Sequence, residues 1–273
     1  MKRDNIFIEP EELLAKLDDP NIRIYDTTIL FFSSDSEPES AYEKYLNGHI
    51  PGAAFFDHKD FSDPNSKYEY MVRDKTGLVE QIGRIGISQD SEVILYASEV
   101  LPSATRAWWI LRYAGHDHVR VLNGGLAAWV KAGGPLEREA RKYAETEFES
   151  HFRTGMFASK EEVLAAMEDG NVCTEYTLPL NVYGGAFIPG SSFLSAMDLM
   201  KGMDYFVLDD DTVSRLKKES RHERIITYCG GGIAATINAM AHLLAGNENV
   251  SVYDGSLIEW MGEGLPIMKS ENS

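Results

Sequence analysis

The stretch ITYCGGGIAAT, residues 226–236, joins an apolar run to a helix-like segment through one cysteine and three glycines. The run before Cys229 has the length and composition of a short buried strand. Glycine adopts backbone conformations that are closed to other residues, so Gly230–Gly232 predict a tight turn between the strand and the helix. The chain contains only two cysteines, and one of them lies in this turn.

The turn has a composition that favours an ionised sulfur. A glycine loop can direct successive N–H groups inward and so form a nest for an anion. The helix that starts near Ala234 adds its positive end. Such surroundings favour thiolate over thiol, and the thiolate is a nucleophile. We therefore expect Cys229 to be a catalytic residue; the alternative is a small apolar residue that ends a buried strand.

The chain contains the same pattern twice. HIPGA at 49–53 resembles FIPGS at 187–191, and VLNGGL at 121–126 resembles VYDGSL at 252–257. Tyr96 matches Tyr228 between these two pairs. Markers that recur in one order at nearly one spacing predict two homologous units.

The repeat predicts the domain limits. We expect an N-terminal domain at 1–138, a charged linker at 139–155 and a C-terminal domain at 156–273. Ala97 occupies the position of Cys229 in the first copy. Only the second domain therefore carries a candidate nucleophile.

Strands and helices are expected to alternate in both halves, which is typical of the α/β class. The expected strands are 22–26, 93–97, 119–122, 225–229 and 250–253, and the expected helices are 104–114, 124–132, 234–245 and 256–263. This order predicts one mainly parallel sheet per domain with helices on both faces. Ligands of such sheets bind beyond the carboxyl ends of the strands, where Cys229 lies.

Composition excludes several classes of function. The 273 residues carry a formal net charge of −17, which disfavours nucleic acid and anionic membranes as partners. No apolar run has the length of a membrane span and the N-terminus does not resemble a signal peptide, so we expect a cytoplasmic protein. Two cysteines cannot form a disulfide framework, and no Cys/His spacing indicates a metal site.

Taken together, the motifs resemble the two-domain rhodanese family of thiosulfate and 3-mercaptopyruvate sulfurtransferases. The resemblance covers nearly the whole chain. It rests on GHIPGA at 48–53, FFD at 55–57, RAWW at 106–109, LNGGL at 122–126 with Trp129, IPGS at 188–191, CGGG at 229–232 and YDGS at 253–256 with Trp260.

The resemblance implies two tandem rhodanese-like domains and a sulfurtransferase. Cys229 would take a sulfane sulfur from a small donor as a persulfide and pass it to a thiol or cyanide acceptor. No cofactor and no metal are implied. Loop amides would hold the persulfide, and the residues that supply them are Gly230, Gly231, Gly232, Ile233, Ala234 and Ala235.

The loop departs from the family pattern. Thiosulfate enzymes of the family usually place basic residues where this chain has Gly230 and Gly231, and mercaptopyruvate enzymes have a serine at position 231 and a threonine at Ala234. No lysine or arginine occurs between residues 176 and 195. A non-catalytic rhodanese-like binding module with a remnant cysteine is therefore the alternative. A related phosphatase is disfavoured, because it needs an arginine where this chain has Ala235.

Overall fold

The first half of the chain builds a five-stranded, fully parallel sheet. The structure is a computed structural model that describes residues 1–31 and 40–270. The strands are β1 (Phe7–Ile8), β2 (Ile22–Asp26), β3 (Ala54–Phe55), β4 (Glu92–Tyr96) and β5 (Val119–Leu122), and their order across the sheet is β1-β5-β4-β2-β3. The helices are α1 (Pro10–Ala15), α2 (Ala41–Asn47), α3 (Lys75–Arg84), α4 (Leu101–Ala114) and α5 (Gly125–Lys131).

The second half repeats this sheet and adds two short antiparallel pairs of strands. Its strands are β6 (Phe157–Ala158), β7 (Val172–Tyr176), β8 (Ala186–Phe187), β9 (Ser192–Phe193), β10 (Met200–Lys201), β11 (Tyr205–Phe206), β12 (Arg224–Tyr228), β13 (Val250–Tyr253) and β14 (Met268–Lys269). The parallel sheet has the order β6-β13-β12-β7-β9, and β10–β11 and β8–β14 form antiparallel pairs. The helices are α6 (Lys160–Ala166), α7 (Asp210–Lys218), α8 (Ala235–Ala245) and α9 (Ser256–Gly262).

Helices cover both faces of each sheet, as expected for the fold class. Successive strand residues point to opposite faces, so a strand buried on both sides is apolar throughout. Along β4, Val93 and Leu95 pack with α3 and α4, whereas Ile94 and Tyr96 pack with α1 and α5. The same alternation along β12 divides its residues between α7 and α8 on one face and α6 and α9 on the other.

The two domains share one continuous core. Buried side chains of α4 and α8 belong to a single apolar cluster that spans both sheets. The hydroxyl oxygens of Thr105 and Thr236 lie 2.7 Å apart where these helices meet. Thr105 and Thr236 are 131 residues apart in sequence, as are Trp129 and Trp260. Matching positions of the two copies therefore meet at a pseudo-twofold axis.

The segment between the domains is packed although it has no regular secondary structure. No helix or strand of the described chain lies between Lys131 and Phe157. The Tyr143 hydroxyl accepts a hydrogen bond from the N–H of Ile24 and donates to the carbonyl of Gly52. The predicted linker thus lies against the first domain. Among the described residues, no helix is long and apolar enough to cross a membrane.

The expected elements agree with the structure apart from their ends. The strands β2, β5 and β13 have the predicted limits, and β12 ends one residue earlier than expected, at Tyr228. Helix α4 starts at Leu101 and not at residue 104, because Pro102 is tolerated in a first turn. The earlier end of β12 leaves Cys229 outside the strand.

Candidate active site

Cys229 lies at the carboxyl edge of the second sheet. It follows β12, the central strand, which pairs with β13 on one side and β7 on the other. The loop 229–234 then leads into α8. The structure thus brings the seven predicted site residues, Cys229 to Ala235, into one tight turn between a strand and a helix.

Ser256 fixes the shape of this turn. Its Oγ accepts hydrogen bonds from the backbone N–H groups of Cys229 and Gly232, both at 3.1 Å. Its hydroxyl donates to the carbonyl of Tyr253 at 2.8 Å. Ser256 has a left-handed backbone with φ of 48°, which is uncommon for a residue other than glycine. From the sequence, Ser256 was expected only to start a helix. The serine in place of Gly125 of the first copy could have indicated its role in the loop.

The first N–H groups of α9 hold two carbonyl groups of the loop by hydrogen bonds. The N–H of Leu257 donates to the carbonyl of Cys229 at 3.1 Å, and the N–H of Ile258 donates to that of Gly230 at 2.9 Å. In the first domain the N–H of Leu126 bonds the carbonyl of Ala97 in the same way, at 3.0 Å. The first domain therefore keeps the loop geometry but has no thiol.

Five loop N–H groups are available to an anion. Within residues 1–31 and 40–270, no acceptor bonds the backbone N–H of Gly230, Gly231, Ile233, Ala234 or Ala235. Of the six residues predicted to supply amides, only Gly232 has its N–H engaged, by Ser256. Unpaired amides are rare where the backbone is buried, and a run of them in one turn is the arrangement from which anion nests are built.

Gly232 is required by the path of the loop. Its φ is +73°, a region that strains residues with a side chain. A Cβ atom at this position would lie 2.4 Å from the carbonyl oxygen of Asp254. The loop therefore passes so close to the end of β13 that only glycine fits.

Cys229 is almost fully buried, with 2% of its surface exposed. Its place at the carboxyl edge of the sheet predicts a residue that ligands can reach, and this burial differs from that expectation. Two tyrosines that were not predicted as site residues lie near Cys229. Tyr176 ends β7 and is paired with Tyr228, and Tyr183 lies over Gly230. Burial raises the pKa of the Tyr176 phenol, and partial burial raises that of the Tyr183 phenol.

Arg106 of the first domain approaches the loop from its carbonyl side. Its guanidinium donates to Asp254 Oδ1 at 2.6 Å and to the carbonyls of Tyr70 at 2.7 Å and Gly232 at 3.3 Å. The residue is 1% exposed. Arg106 is therefore a structural ion-pair partner between the domains.

Cys173 does not lie next to Cys229. It is the second residue of β7 and pairs with Ile225, four residues before Cys229. Its Sγ, the Glu219 carboxylate and a ring nitrogen of His222 lie within 4.8 Å of one another, an arrangement that could hold a metal ion. Spacing along the chain did not indicate this cluster. Burial raises the pKa of Cys173 to about 12, so the free thiol is protonated at neutral pH.

Two surface cavities lie away from this chemistry. One of about 560 Å³ is lined by residues around the start of β5, and one of about 370 Å³ by residues around the start of β2. Both are at the amino ends of strands of the first sheet, opposite the edge at which parallel sheets bind ligands.

Comparisons with known proteins agree with this architecture. A protein-family model described as a rhodanese-like domain matches residues 9–132 and 159–263. The 3-mercaptopyruvate sulfurtransferase of Escherichia coli K12 is 30% identical over 266 residues, which cover 93% of this chain and 94% of that protein. The thiosulfate sulfurtransferase of Bos taurus is 30% identical over 267 residues, which cover 90% and 87%.

Solved structures show the same fold. SseA from Escherichia coli, described as a 3-mercaptopyruvate sulfotransferase, superposes with a TM-score of 0.79 at 28% identity and covers 94% of this chain and 99% of that chain. Tum1 from Saccharomyces cerevisiae, at 22% identity and a TM-score of 0.82, supports the fold alone. Since the family match covers most of the chain and a relative is 30% identical over nearly its whole length, the chain belongs to the rhodanese family and is a two-domain sulfurtransferase of that family.

Proposed function

We propose that Cys229 is the sulfur carrier of this sulfurtransferase. The observation that carries the proposal is the group of five unpartnered amides that follows the cysteine in the loop. A persulfide is anionic, and preorganised N–H groups stabilise negative charge without a metal or a cofactor. The cradle residues are Gly230, Gly231, Gly232, Ile233, Ala234 and Ala235, in which Gly232 acts through its bond to Ser256.

The transfer has two displacement steps. The Cys229 thiolate attacks the outer sulfur of the donor; the bond between that sulfur and the rest of the donor breaks, and the donor leaves with the electron pair. An acceptor nucleophile then attacks the outer sulfur of the persulfide, and Cys229 leaves as a thiolate. Small donors and a thiol or cyanide acceptor fit this chemistry. The net charge of −17 argues against nucleic acid as a partner.

The domains have unequal roles in this proposal. The C-terminal domain, 156–273, carries the nucleophile, and the N-terminal domain, 1–138, supplies a wall through Arg106 and the N–H of Val72, which both bond Asp254. The linker is 139–155. Two free cysteines are compatible with a reducing compartment, and we place the protein in the cytoplasm.

Intact-mass measurement tests the proposal. The protein is incubated with thiosulfate, 3-mercaptopyruvate and an alkyl persulfide in turn, and its mass is then determined. We expect the wild type and Cys173→Ala to gain one sulfur atom with at least one donor, and Cys229→Ala to gain none. If the wild type gains no sulfur from any donor, the chain is a binding module with a remnant cysteine.

A further inference from the structure

Tyr183 fills the space that a side chain at position 230 would need. A Cβ atom built on Gly230 would lie 2.1 Å from the Tyr183 hydroxyl oxygen and 2.7 Å from its Cζ. This is the position at which thiosulfate enzymes of the family usually carry a basic residue. A basic side chain at 230 would therefore require the phenol to move away.

The backbone of Tyr183 is held in a strained conformation. Its φ and ψ are 52° and 34°, and Gly184 follows with φ of 62°. The turn is tied down from behind, because β14 pairs with β8 and the N–H of Ser270 donates to the carbonyl of Gly185 at 3.0 Å. A left-handed residue other than glycine persists only where its surroundings fix it, and such strain concentrates at functional sites.

A second phenol lies at the same loop with its hydroxyl unpaired. Tyr176 is fully buried, and its hydroxyl has no hydrogen-bond partner in the described part of the chain. Its counterpart in the first domain is Asp26, which accepts a hydrogen bond from Ser98, the counterpart of Gly230. The end of β7 therefore places the Tyr176 side chain beside the loop. A buried hydroxyl without a partner needs an explanation, and a hydrogen bond to a bound donor or to the persulfide would supply one.

Both phenols stay neutral and can donate a proton to a hydrogen bond. Burial raises the pKa of Tyr176, and partial burial raises that of Tyr183, which is still 39% exposed; an anionic sulfur at Cys229 would raise both further. The hydroxyl of Tyr183 also has no partner among the described residues. The loop thus offers two neutral donors, whereas the guanidinium of Arg106, which bonds the Gly232 carbonyl, is also occupied by Asp254 and the Tyr70 carbonyl.

We propose that Tyr183, together with Tyr176, sets the donor specificity of the enzyme: the loop takes sulfur from weakly charged alkyl persulfides and discriminates against dianionic thiosulfate. This inference rests on the proposed role of Cys229. Neutral hydroxyls solvate one developing charge on sulfur, but they do not offset the cost of moving a dianion next to a loop, residues 229–235, that contains no lysine or arginine.

The reaction is balanced with a persulfide donor. The Cys229 thiolate attacks the terminal sulfur of R–S–SH, and the S–S bond breaks. The R–S⁻ group leaves with the electron pair and takes a proton from solvent, and Cys229 retains the terminal sulfur as a persulfide. The inner donor sulfur is reduced and the Cys229 sulfur is oxidised, so no further oxidant or reductant is needed.

Two donors and three variants test the inference. The rate of sulfur gain on Cys229 is measured by intact mass with thiosulfate and with the persulfide of 2-mercaptoethanol, and each rate is divided by that of N-acetylcysteine with the same donor. We expect the wild type to favour the persulfide after this correction. Tyr183→Phe should lose about tenfold with the persulfide, because one hydrogen bond to a charged group is removed. Tyr42→Phe, on the surface of the first domain, should match the wild type.

The double variant Tyr183→Ala/Gly230→Lys opens the space and fills it with a cation. We expect the ratio of the thiosulfate rate to the persulfide rate to rise by about tenfold or more, since a lysine now pairs with the dianion. Unaltered rates in Tyr183→Phe, or an unaltered ratio in the double variant, overturn the role of Tyr183 while Cys229 remains the carrier. No sulfur gain by the wild type with either donor overturns both. Thermal melts check folding, and the Phe variant retains the ring.

Discussion

Ser256 joins two requirements that a single residue type seldom meets. Its position needs a left-handed backbone, for which the first domain uses Gly125 with φ of 52°. The loop around Cys229 also needs an acceptor for two backbone N–H groups, and the Ser256 hydroxyl supplies it. The strain of a serine in this region, about 1 kcal/mol or more, is offset by bonds that a glycine cannot make.

Two substitutions separate strain from hydrogen bonding. Ser256→Ala keeps the strained backbone and leaves two buried N–H groups unpaired, so we expect a loss of about 1–3 kcal/mol in the free energy of unfolding. Ser256→Gly loses the same bonds but relieves the strain, and it should be about 1 kcal/mol more stable than the alanine variant. Urea unfolding measures both.

The same two variants test the loop's role in catalysis. Both should slow sulfur gain on Cys229 by about tenfold or more, because the amides are no longer preorganised. Ser220→Ala, which removes a local hydroxyl-to-carbonyl bond far from the loop, is the matched control and should react like the wild type. Sulfur gain at the wild-type rate in Ser256→Gly would show that the hydroxyl does not shape the nest.

Site residues that lie next to one another in the sequence could be predicted, and those that lie far apart could not. Cys229 and the six residues that follow it are contiguous, so residues 226–236 were enough to predict their chemistry. Ser256, Tyr176 and Tyr183 reach the loop only because β7, β12 and β13 are neighbours in the sheet. The approach of Tyr183 to Gly230 was equally hidden, since the two residues are 47 positions apart in the sequence.

At the scale of elements, central strands were predictable and edge strands were not. The central strands β4 and β12 are buried on both faces and read as continuous apolar runs. The strands β1, β3, β6 and β9 have two residues each and carry no period of their own. They are defined by pairing to a neighbour, which a single sequence does not display. Helix α7 was not among the expected helices; its N-cap is Asp209, which accepts a hydrogen bond from the N–H of Thr212.

Two neighbouring glycines in the loop between β12 and α8 should respond differently to substitution by alanine. A Cβ at Gly232 would collide with the Asp254 carbonyl in a strained backbone, whereas a Cβ at Gly231 would make an ordinary contact of 3.5 Å with Ile258. We expect Gly232→Ala to lower the free energy of unfolding by at least about 1–3 kcal/mol and to abolish sulfur gain. Gly231→Ala should stay within about 0.5 kcal/mol of the wild type. Equal losses in the two variants, measured by urea unfolding, would contradict the loop path.

At the scale of the molecule, the contacts between the domains depart from pseudo-twofold symmetry at the matching residues Asn123 and Asp254. Asn123 of the first domain accepts a hydrogen bond from the N–H of Phe206 in the second. Its counterpart Asp254 accepts from the N–H of Val72 and in addition pairs with Arg106. Position 237, the counterpart of Arg106, is Ile237. At this position the domain with Cys229 is thus joined to the other domain by a buried charge pair, and the domain without it by a neutral hydrogen bond.

This asymmetry predicts how the domains respond to loss of the pair. Arg106→Met leaves the buried carboxylate of Asp254 without its cation, and we expect a loss of about 3–5 kcal/mol in the free energy of unfolding. Arg106→Met/Asp254→Asn should lose less than the single variant, because no buried charge is left alone. Lys67→Met removes an exposed partner of Glu263 and should change stability far less. Urea unfolding followed by tryptophan fluorescence measures all three; a double variant no more stable than Arg106→Met would mean that desolvation of the carboxylate is not what the arginine offsets.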